Sequence, residues 1–311
     1  MRIAFLNKLT ELMEQDDSIY VLVADTGFHV FDEFQNQFSE RYLNVGISEA
    51  SMVGMASGLA LSGKKVFTYG IVPFVTMRCF EQIRVDLCYP RLPVTIVGVG
   101  GGLTYGPAGM THHSIEDIAV MNCLPNMTII CPGDPIETQQ AVEAVMSLEG
   151  PCYLRLGKTG EKVVHSQPAK SFAIGKGLRV REGSDVAIIT TGNMLPTSVD
   201  TCDILEGDGI GPELISMHTV KPIDRELIIE LARRCLLIAT VEEHSIIGGL
   251  GSVVAGVLTE EGLKTKVLLK KFAISDEYAH KAGSQDYLRR QYGLTAETIA
   301  NEVRICLKKI P

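Results

Sequence analysis

Residues 42–69, YLNVGISEASMVGMASGLALSGKKVFTY, predict a strand, a helix and a second strand in close succession. The apolar run over 42–45 indicates a short strand, and Ser48 then stands where a helix N-cap is expected. We predict a helix over 48–61, because Ser62 and Gly63 supply a stop signal, and a strand over 65–69. Strands that alternate with helices in this way favour a parallel sheet covered on both faces.

The same alternation continues through the rest of the 311 residues, a length that suggests two domains. We predict further strands over 19–24, 93–99, 127–131, 186–190, 214–217, 236–241 and 266–270, and helices over 31–38, 76–88, 136–148, 196–206, 224–234, 251–261 and 295–308. The polar segment 161–172 predicts a linker. We therefore expect two consecutive α/β domains, 1–160 and 173–311, with mainly parallel sheets flanked by helices.

The composition is that of a globular protein, with 46% hydrophobic and 21% charged residues. Asp and Glu number 37 against 29 Lys and Arg, and basic runs are lacking, which argues against nucleic acid or a membrane surface as a partner. The eight cysteines include no CxxC pair, so we expect reduced thiols and no metal site. The N-terminal residues lack an apolar export signal, and we expect a cytoplasmic protein.

Four segments together resemble the transketolase family of thiamine diphosphate enzymes. They are NVGISEASMVGMASGLA at 44–60, VPFVTMRCFEQIR at 72–84, GMTHHSIED at 109–117 and VEEHSIIGGLGS at 241–252. Their order and spacing agree with the second half of a full-length transketolase, which comprises a pyrimidine-binding and a C-terminal domain. The resemblance implies transfer of a two-carbon ketol unit from a ketose to an aldehyde. It also implies that the fourth segment serves assembly rather than catalysis.

Glu49 lies in the first turn of the predicted helix, among many small residues. The helix dipole favours a negative charge there whatever its function, which is the purely structural alternative. Small residues, however, let a flat ligand or another subunit approach the backbone closely. The resemblance implies that Glu49 hydrogen-bonds the aminopyrimidine ring of thiamine diphosphate and favours its imino tautomer, which removes the thiazolium C2 proton.

Three residues are expected to form the wall against which this ring packs. In the family, aromatic side chains occupy the positions of Ile71 and Phe74, so Phe74 is the expected stacking residue. Ile71 departs from the aromatic pattern, and nearby Tyr69 is expected to compensate. For Ile71 a role in the core is an equal alternative.

The remaining site residues concern the substrate. The resemblance places His112 at the substrate carbonyl as a proton donor or hydrogen-bond stabiliser, with His113 beside it in place of a glutamine. His29 replaces a serine that helps to hold a phosphate, and Ala108 replaces an aspartate that contacts a sugar hydroxyl. Arg155 matches an arginine that grips the substrate phosphate, with an interdomain salt bridge as the alternative. An anionic ketose is therefore expected, while its identity stays open.

The family binds the cofactor diphosphate and its Mg²⁺ (or Ca²⁺) through GDG followed by an Asn about thirty residues later. Residues 207–209 match GDG, but no Asn occurs between positions 208 and 300, so we interpret this segment as a turn. We predict no metal ligand in this chain. We expect a partner subunit that carries GDG and its Asn and holds the metal, in an α2β2 heterotetramer in which this chain also self-associates.

Two alternatives remain open at the level of sequence. The chain could be the beta subunit of a 2-oxo-acid dehydrogenase, or act on pyruvate like a deoxyxylulose-phosphate synthase. It could also be a non-catalytic scaffold subunit, although the presence of Glu49 argues against this.

Overall fold

The computed structural model describes residues 1–27, 30–158, 160–260 and 267–310. Strands in the first half are β1 (Ile19–Val23), β2 (Tyr42–Asn44), β3 (Lys65–Ile71), β4 (Val94–Val99), β5 (Thr128–Ile130) and β6 (Cys152–Leu156). Its helices are α1 (Arg2–Gln15), α2 (Asp32–Gln37), α3 (Glu49–Leu61), α4 (Val72–Val75), α5 (Phe80–Gln82), α6 (Asp117–Asn122) and α7 (Pro135–Ala144).

The second half repeats this alternation. Its strands are β7 (Leu178–Arg181), β8 (Val186–Thr190), β9 (Pro212–Ser216), β10 (Thr219–Lys221), β11 (Leu237–Ser245) and β12 (Leu268–Ile274). Its helices are α8 (Leu195–Gly207), α9 (Arg225–Arg234), α10 (Leu250–Glu260), α11 (Gln285–Gln291) and α12 (Ala296–Lys309). Position 266 of the predicted strand and position 261 of the predicted helix lie outside the described residues.

Each half is built on a sheet with packed apolar side chains on both faces. Within the described residues, the first sheet has the strand order β10-β5-β6-β4-β3-β1-β2 and the second has the order β12-β11-β8-β9-β7. All neighbours are parallel except β10 with β5 and β7 with β9. The prediction of two α/β domains with mainly parallel sheets is confirmed.

The chain returns from the second half to complete the first sheet. Strand β10 follows β9 in sequence, yet it pairs with β5 across the domain boundary. The Lys221 ammonium donates hydrogen bonds to the carbonyl oxygens of Asn122 and Leu124, at 2.8 and 2.6 Å. The two halves therefore share one sheet edge.

The segment 241–252 also joins the halves. The Glu243 carboxylate accepts a hydrogen bond from the Leu103 amide at 2.6 Å and pairs with Arg289. The His244 ring nitrogen Nε2 accepts from the Ala119 amide at 3.3 Å. These buried polar contacts fix the loop after β4 against the C-terminal half.

The predicted helix over 76–88 is interrupted. Helix α4 begins early, with Pro73 in its first turn, and it ends at Thr76, whose hydroxyl donates to the Val72 carbonyl at 2.6 Å. A turn over 76–79, helix α5 and a π-helical turn (Ile83–Cys88) follow. The break leaves Arg78 outside regular helix, next to the N-terminus of α3. No helix in the described ranges is long and apolar enough to cross a membrane.

Candidate functional site

The carboxyl ends of β1, β3 and β4 meet at one edge of the first sheet, where open parallel sheets commonly bind ligands. Glu49 opens α3 there, Phe74 lies in α4 directly after β3, and His112 lies in the loop after β4. Three of the predicted site residues are therefore gathered at one place by the parallel topology.

Glu49 is only 3% exposed, and its buried carboxylate faces Arg78. The Arg78 Nη1 donates to both carboxylate oxygens, at 3.0 and 2.9 Å. The same guanidinium lies over the Phe74 ring, 4.3 Å from the ring centroid. Burial, and then the Glu49 charge, raise the pKa of neighbouring Cys79 to about 12, so this thiol stays protonated.

The structure distinguishes the two adjacent histidines. The partly buried His112 ring packs edge-on against Phe74, with ring centroids 5.4 Å apart. Its Nδ1 lies 3.0 Å from the Thr111 hydroxyl oxygen. His113 is instead buried in the loop, with Nε2 3.4 Å from the Gly106 carbonyl oxygen, and burial lowers the pKa of His113. His112 is therefore the histidine that faces Phe74.

Two other predicted wall residues differ in their surroundings. Ile71 is partly exposed at the end of β3, directly before α4. Tyr69 belongs to the core, because its ring lies 6.0 Å from that of Phe5 and 4.7 Å from that of Phe31. Burial raises the pKa of Tyr69 above its ordinary value. The expectation that Tyr69 compensates for Ile71 is thus corrected, because Tyr69 packs in the core. His29 lies outside the described residues.

Arg155 is buried between the domains, at 4% exposure. Its Nε donates to Asp117 Oδ2 at 2.6 Å, and its Nη2 donates to the carbonyl oxygens of Ser114 and Glu243 at 3.2 and 3.1 Å. Burial opposes the Asp117 charge, but Arg155 holds the pKa of Asp117 below its ordinary value. The expected phosphate contact is corrected accordingly, because these partners already occupy the guanidinium. The ion pair lies within the first domain, and the contact with the second domain is the hydrogen bond to the Glu243 carbonyl oxygen.

Lys158 is the cation that reasoning from the sequence missed. It lies two residues beyond the end of β6, and its Nζ is 4.6 Å from the centroid of the Tyr105 ring. Tyr105 in turn lies 6.0 Å from His112 between ring centroids. No ion pair of Lys158 is found among the described residues. Its position just after a strand, at the ligand edge of the sheet, was the available signal.

Two family models match the chain: the transketolase pyrimidine-binding domain over residues 1–160 and the transketolase C-terminal domain over residues 175–299. The chain belongs to the transketolase family. A Methanocaldococcus jannaschii protein, provisionally named a transketolase C-terminal section, is 37% identical to it over 311 residues, which are 99% of this chain and 96% of that protein.

Two further relatives of this transketolase-family chain are of similar length. A 6-deoxy-6-sulfo-D-fructose transketolase subunit from a Clostridium species is 35% identical over 300 residues, 96% of this chain and 92% of that subunit. A solved split-gene transketolase, described as an inactive beta4 tetramer, superimposes with a TM-score of 0.88 at 37% identity. That comparison covers 99% of this chain and 98% of the other.

The residues gathered at this edge of the sheet fit the aminopyrimidine part of thiamine diphosphate. Such a ring requires a hydrogen-bonding carboxyl group at its edge and an aromatic surface against its face. The planar Arg78 guanidinium already makes both kinds of contact, since it donates to Glu49 and stacks 4.3 Å above Phe74. A flat ring whose edge nitrogen carries a proton, as in the imino tautomer of the aminopyrimidine, can make the same two contacts.

The metal-binding end of the cofactor has no counterpart in the described part of the transketolase chain. No group of three or more His, Cys, Asp or Glu side chains is arranged there to hold a metal ion. Asp208, in the segment that matches GDG, accepts a hydrogen bond from Arg304 Nε at 2.6 Å and follows the end of α8. The interpretation of this segment as a turn agrees with that geometry.

Proposed function

We propose that this chain is the C-terminal (beta) subunit of a split, thiamine diphosphate-dependent transketolase that is active only with a partner subunit. It transfers a two-carbon ketol unit from a ketose with an anionic end to an aldehyde. The observation that carries the proposal is the buried Glu49 carboxylate beside Phe74 and His112, at the carboxyl edge of the first sheet.

Each of these residues has a task that its surroundings support. Glu49 binds the aminopyrimidine ring nitrogen, and its burial excludes water that would compete for that hydrogen bond. Phe74, with Ile71 next to it, packs against the ring. His112 holds or donates a proton at the substrate oxygen. When bound, thiamine diphosphate supplies the carbanion chemistry that cleaves the ketose next to its carbonyl.

Lys158 is proposed to attract the anionic end of the substrate, in the role first expected of Arg155. Its ammonium lies at the site edge, next to Tyr105 and one ring away from His112. Arg155, by contrast, is enclosed by the Asp117 carboxylate and the Glu243 carbonyl oxygen. His29 and His113 stay predicted substrate contacts.

The proposed partner is an N-terminal transketolase subunit that carries GDG and its Asn and holds Mg²⁺ (or Ca²⁺). Two observations support this division of labour: the motif is incomplete in this sequence, and relatives of similar length are named as a C-terminal section and as a subunit. The proposed assembly is an α2β2 heterotetramer in which this chain also self-associates.

The test is Glu49→Gln in the chain reconstituted with its partner subunit. We expect exchange of the thiamine diphosphate C2 proton with deuterium, followed by NMR, to slow by at least about a hundredfold, because general acid–base assistance typically contributes that much. Glu81→Gln, at an exposed glutamate that pairs with Arg84, is the matched control and should exchange at the wild-type rate. Wild-type exchange in Glu49→Gln would refute the assignment and favour the scaffold alternative. Decarboxylation of pyruvate by the wild-type pair, without ketol transfer, would favour the 2-oxo-acid alternatives.

A further inference from the structure

The Arg78 guanidinium occupies the space between the two residues that are proposed to hold the cofactor ring. Its Nη1 contacts both Glu49 oxygens, at 3.0 and 2.9 Å, and its guanidinium carbon lies over Phe74, 4.3 Å from the ring centroid. A guanidinium and the imino tautomer of the aminopyrimidine share a flat shape and an N–H donor at the edge. One cannot make these contacts while the other does.

We propose that Arg78 is a placeholder for the aminopyrimidine ring: it fills the ring site until thiamine diphosphate binds, and it must swing out for the cofactor to enter. This inference rests on the proposed function. It assigns a task to a residue that the sequence analysis did not single out.

The charge of Glu49 explains why a placeholder is useful. The carboxylate is almost fully buried, and a buried carboxylate is less favourable without a counter-ion than with one. Arg78 supplies that counter-ion, and it also covers the face of Phe74, which would otherwise be exposed to water at the open site. The empty site is thus kept in a shape close to the one required by the ring.

The contacts of Arg78 are weak enough for its side chain to leave the ring site. Its side chain is 47% exposed, and no hydrogen bond of its Nε or Nη2 is found with the described residues. It also lies in the turn between α4 and α5, so the side chain can leave without breaking a helix. Ion pairs and cation–π contacts with one exposed partner are individually modest.

The placeholder predicts a specific kinetic signature. If only a fraction of molecules has the ring site open, the apparent dissociation constant is the intrinsic one divided by that fraction. An ion pair and a cation–π contact of ordinary strength leave about one molecule in ten open. Removing the guanidinium should therefore tighten binding about tenfold through faster association, with dissociation unchanged.

The experiment compares Arg78→Met, which keeps the apolar stem, with Arg84→Met as the matched control. Arg84 lies six residues further along the same segment and pairs with exposed Glu81. Thiamine diphosphate with Mg²⁺ is titrated into the chain reconstituted with its partner subunit, and the rates are followed by stopped flow. We expect about tenfold tighter binding for Arg78→Met, from association alone, and wild-type values for Arg84→Met.

Either of two titration results would show that Arg78 does not act as a placeholder. Unchanged binding in Arg78→Met would show that Arg78 does not compete with the ring, and weaker binding would show that it contacts the ligand. A second measurement needs no substitution: phenylglyoxal should modify Arg78 of the wild-type complex faster after thiamine diphosphate is added, and protection would contradict displacement. If the wild-type complex binds the cofactor, none of these results contradicts the proposed function. Failure of the wild-type complex to bind thiamine diphosphate would defeat both proposals.

Discussion

The Glu49 carboxylate has both a structural role and a proposed chemical role. As the first residue of α3 it lies where the helix dipole favours a negative charge, yet it is buried rather than solvated. A carboxylate that served only the helix would remain equally favourable when exposed. Its burial beside Phe74 and His112 therefore requires a partner, which is Arg78 in the isolated chain and the cofactor in the proposed complex.

His112→Ala tests whether this histidine acts on the substrate rather than on the cofactor. Because its ring contacts Phe74 by the edge only, its removal should leave thiamine diphosphate affinity within about threefold of wild type. Turnover should fall by about a hundredfold or more, as expected for loss of a positioned proton donor. Steady-state kinetics and calorimetry on the reconstituted pair measure the two effects, with exposed His280→Ala as control. Equal losses of affinity and turnover would make His112 a cofactor contact.

At the level of residues, sequence reasoning was most useful where position along the chain determines location. Glu49 and His112 follow strands of a parallel sheet, so both had to reach the same edge. The direction of a side chain is harder to infer. Arg155 lies within β6 and points between the domains, whereas Lys158, just past the strand, reaches the site edge. Arg78 was missed because the predicted helix over 76–88 hid the turn that aims it at Glu49.

Helix α3 has an exposed face with two glycines that no contact within the described residues explains. Gly54 and Gly58 lie one turn apart, and a Cβ built on either would meet no atom within 4 Å. Neither has a positive φ, so neither conformation nor packing within the chain requires glycine. Exposed Met55 and Leu61 lie beside them. This pattern supports the proposal that another subunit approaches this helix closely.

Replacing both glycines should therefore change folding and assembly in opposite directions. Gly54→Ala with Gly58→Ala should raise the free energy of unfolding of the dilute chain by about 1–2 kcal/mol, because glycine in a helix is about 0.5–1 kcal/mol less favourable than alanine. The added methyl groups should at the same time weaken self-association. Urea unfolding and analytical ultracentrifugation measure the two quantities. Gly256→Ala in α10, where a Cβ also meets nothing, is the control and should stabilise the chain without changing its association.

The apolar strands were predicted well, whereas the regular helix α1 and the interrupted segment after β3 were not. The fully buried β4 follows from its continuous apolar run, since both faces of a parallel sheet are covered. A single helix was predicted over 76–88, but Pro73 starts α4 early and Thr76 bonds back to the Val72 carbonyl. Such local competition between side chain and backbone is decided by neighbouring elements, which a single sequence does not reveal.

Across the whole molecule, Arg155 connects the halves: it pairs with Asp117 in the first half and donates a hydrogen bond to the Glu243 carbonyl oxygen in the second. Arg155→Met should lower the free energy of unfolding by about 3–5 kcal/mol, because it leaves the buried Asp117 charge without its partner. Lys158→Met should leave stability unchanged and raise KM for a phosphorylated ketose. Urea unfolding and steady-state kinetics provide the readouts. A stable Arg155→Met protein with a raised KM would instead restore the original phosphate-binding prediction.

The two-domain α/β architecture was predictable because the alternation of strands and helices is repeated many times. The position of β10, which follows β9 in sequence but pairs within the first sheet, was not predictable. This strand has three residues, and it pairs with β5 nearly ninety positions earlier in the chain, so no local pattern announces it. Long-range pairings of short strands depend on the packing of both domains at once.

The pairing of β10 with β5 also bears on how this polypeptide can be divided. A protease cut within 161–172 would not liberate a self-sufficient N-terminal fragment, because the last member of that fragment's sheet would remain on the other piece. Strand β5 would then present bare backbone amides and carbonyls, the kind of surface that recruits further chains into aggregates. Truncated forms that end before position 219 are thus poor candidates for soluble expression, however independent their sequence pattern looks.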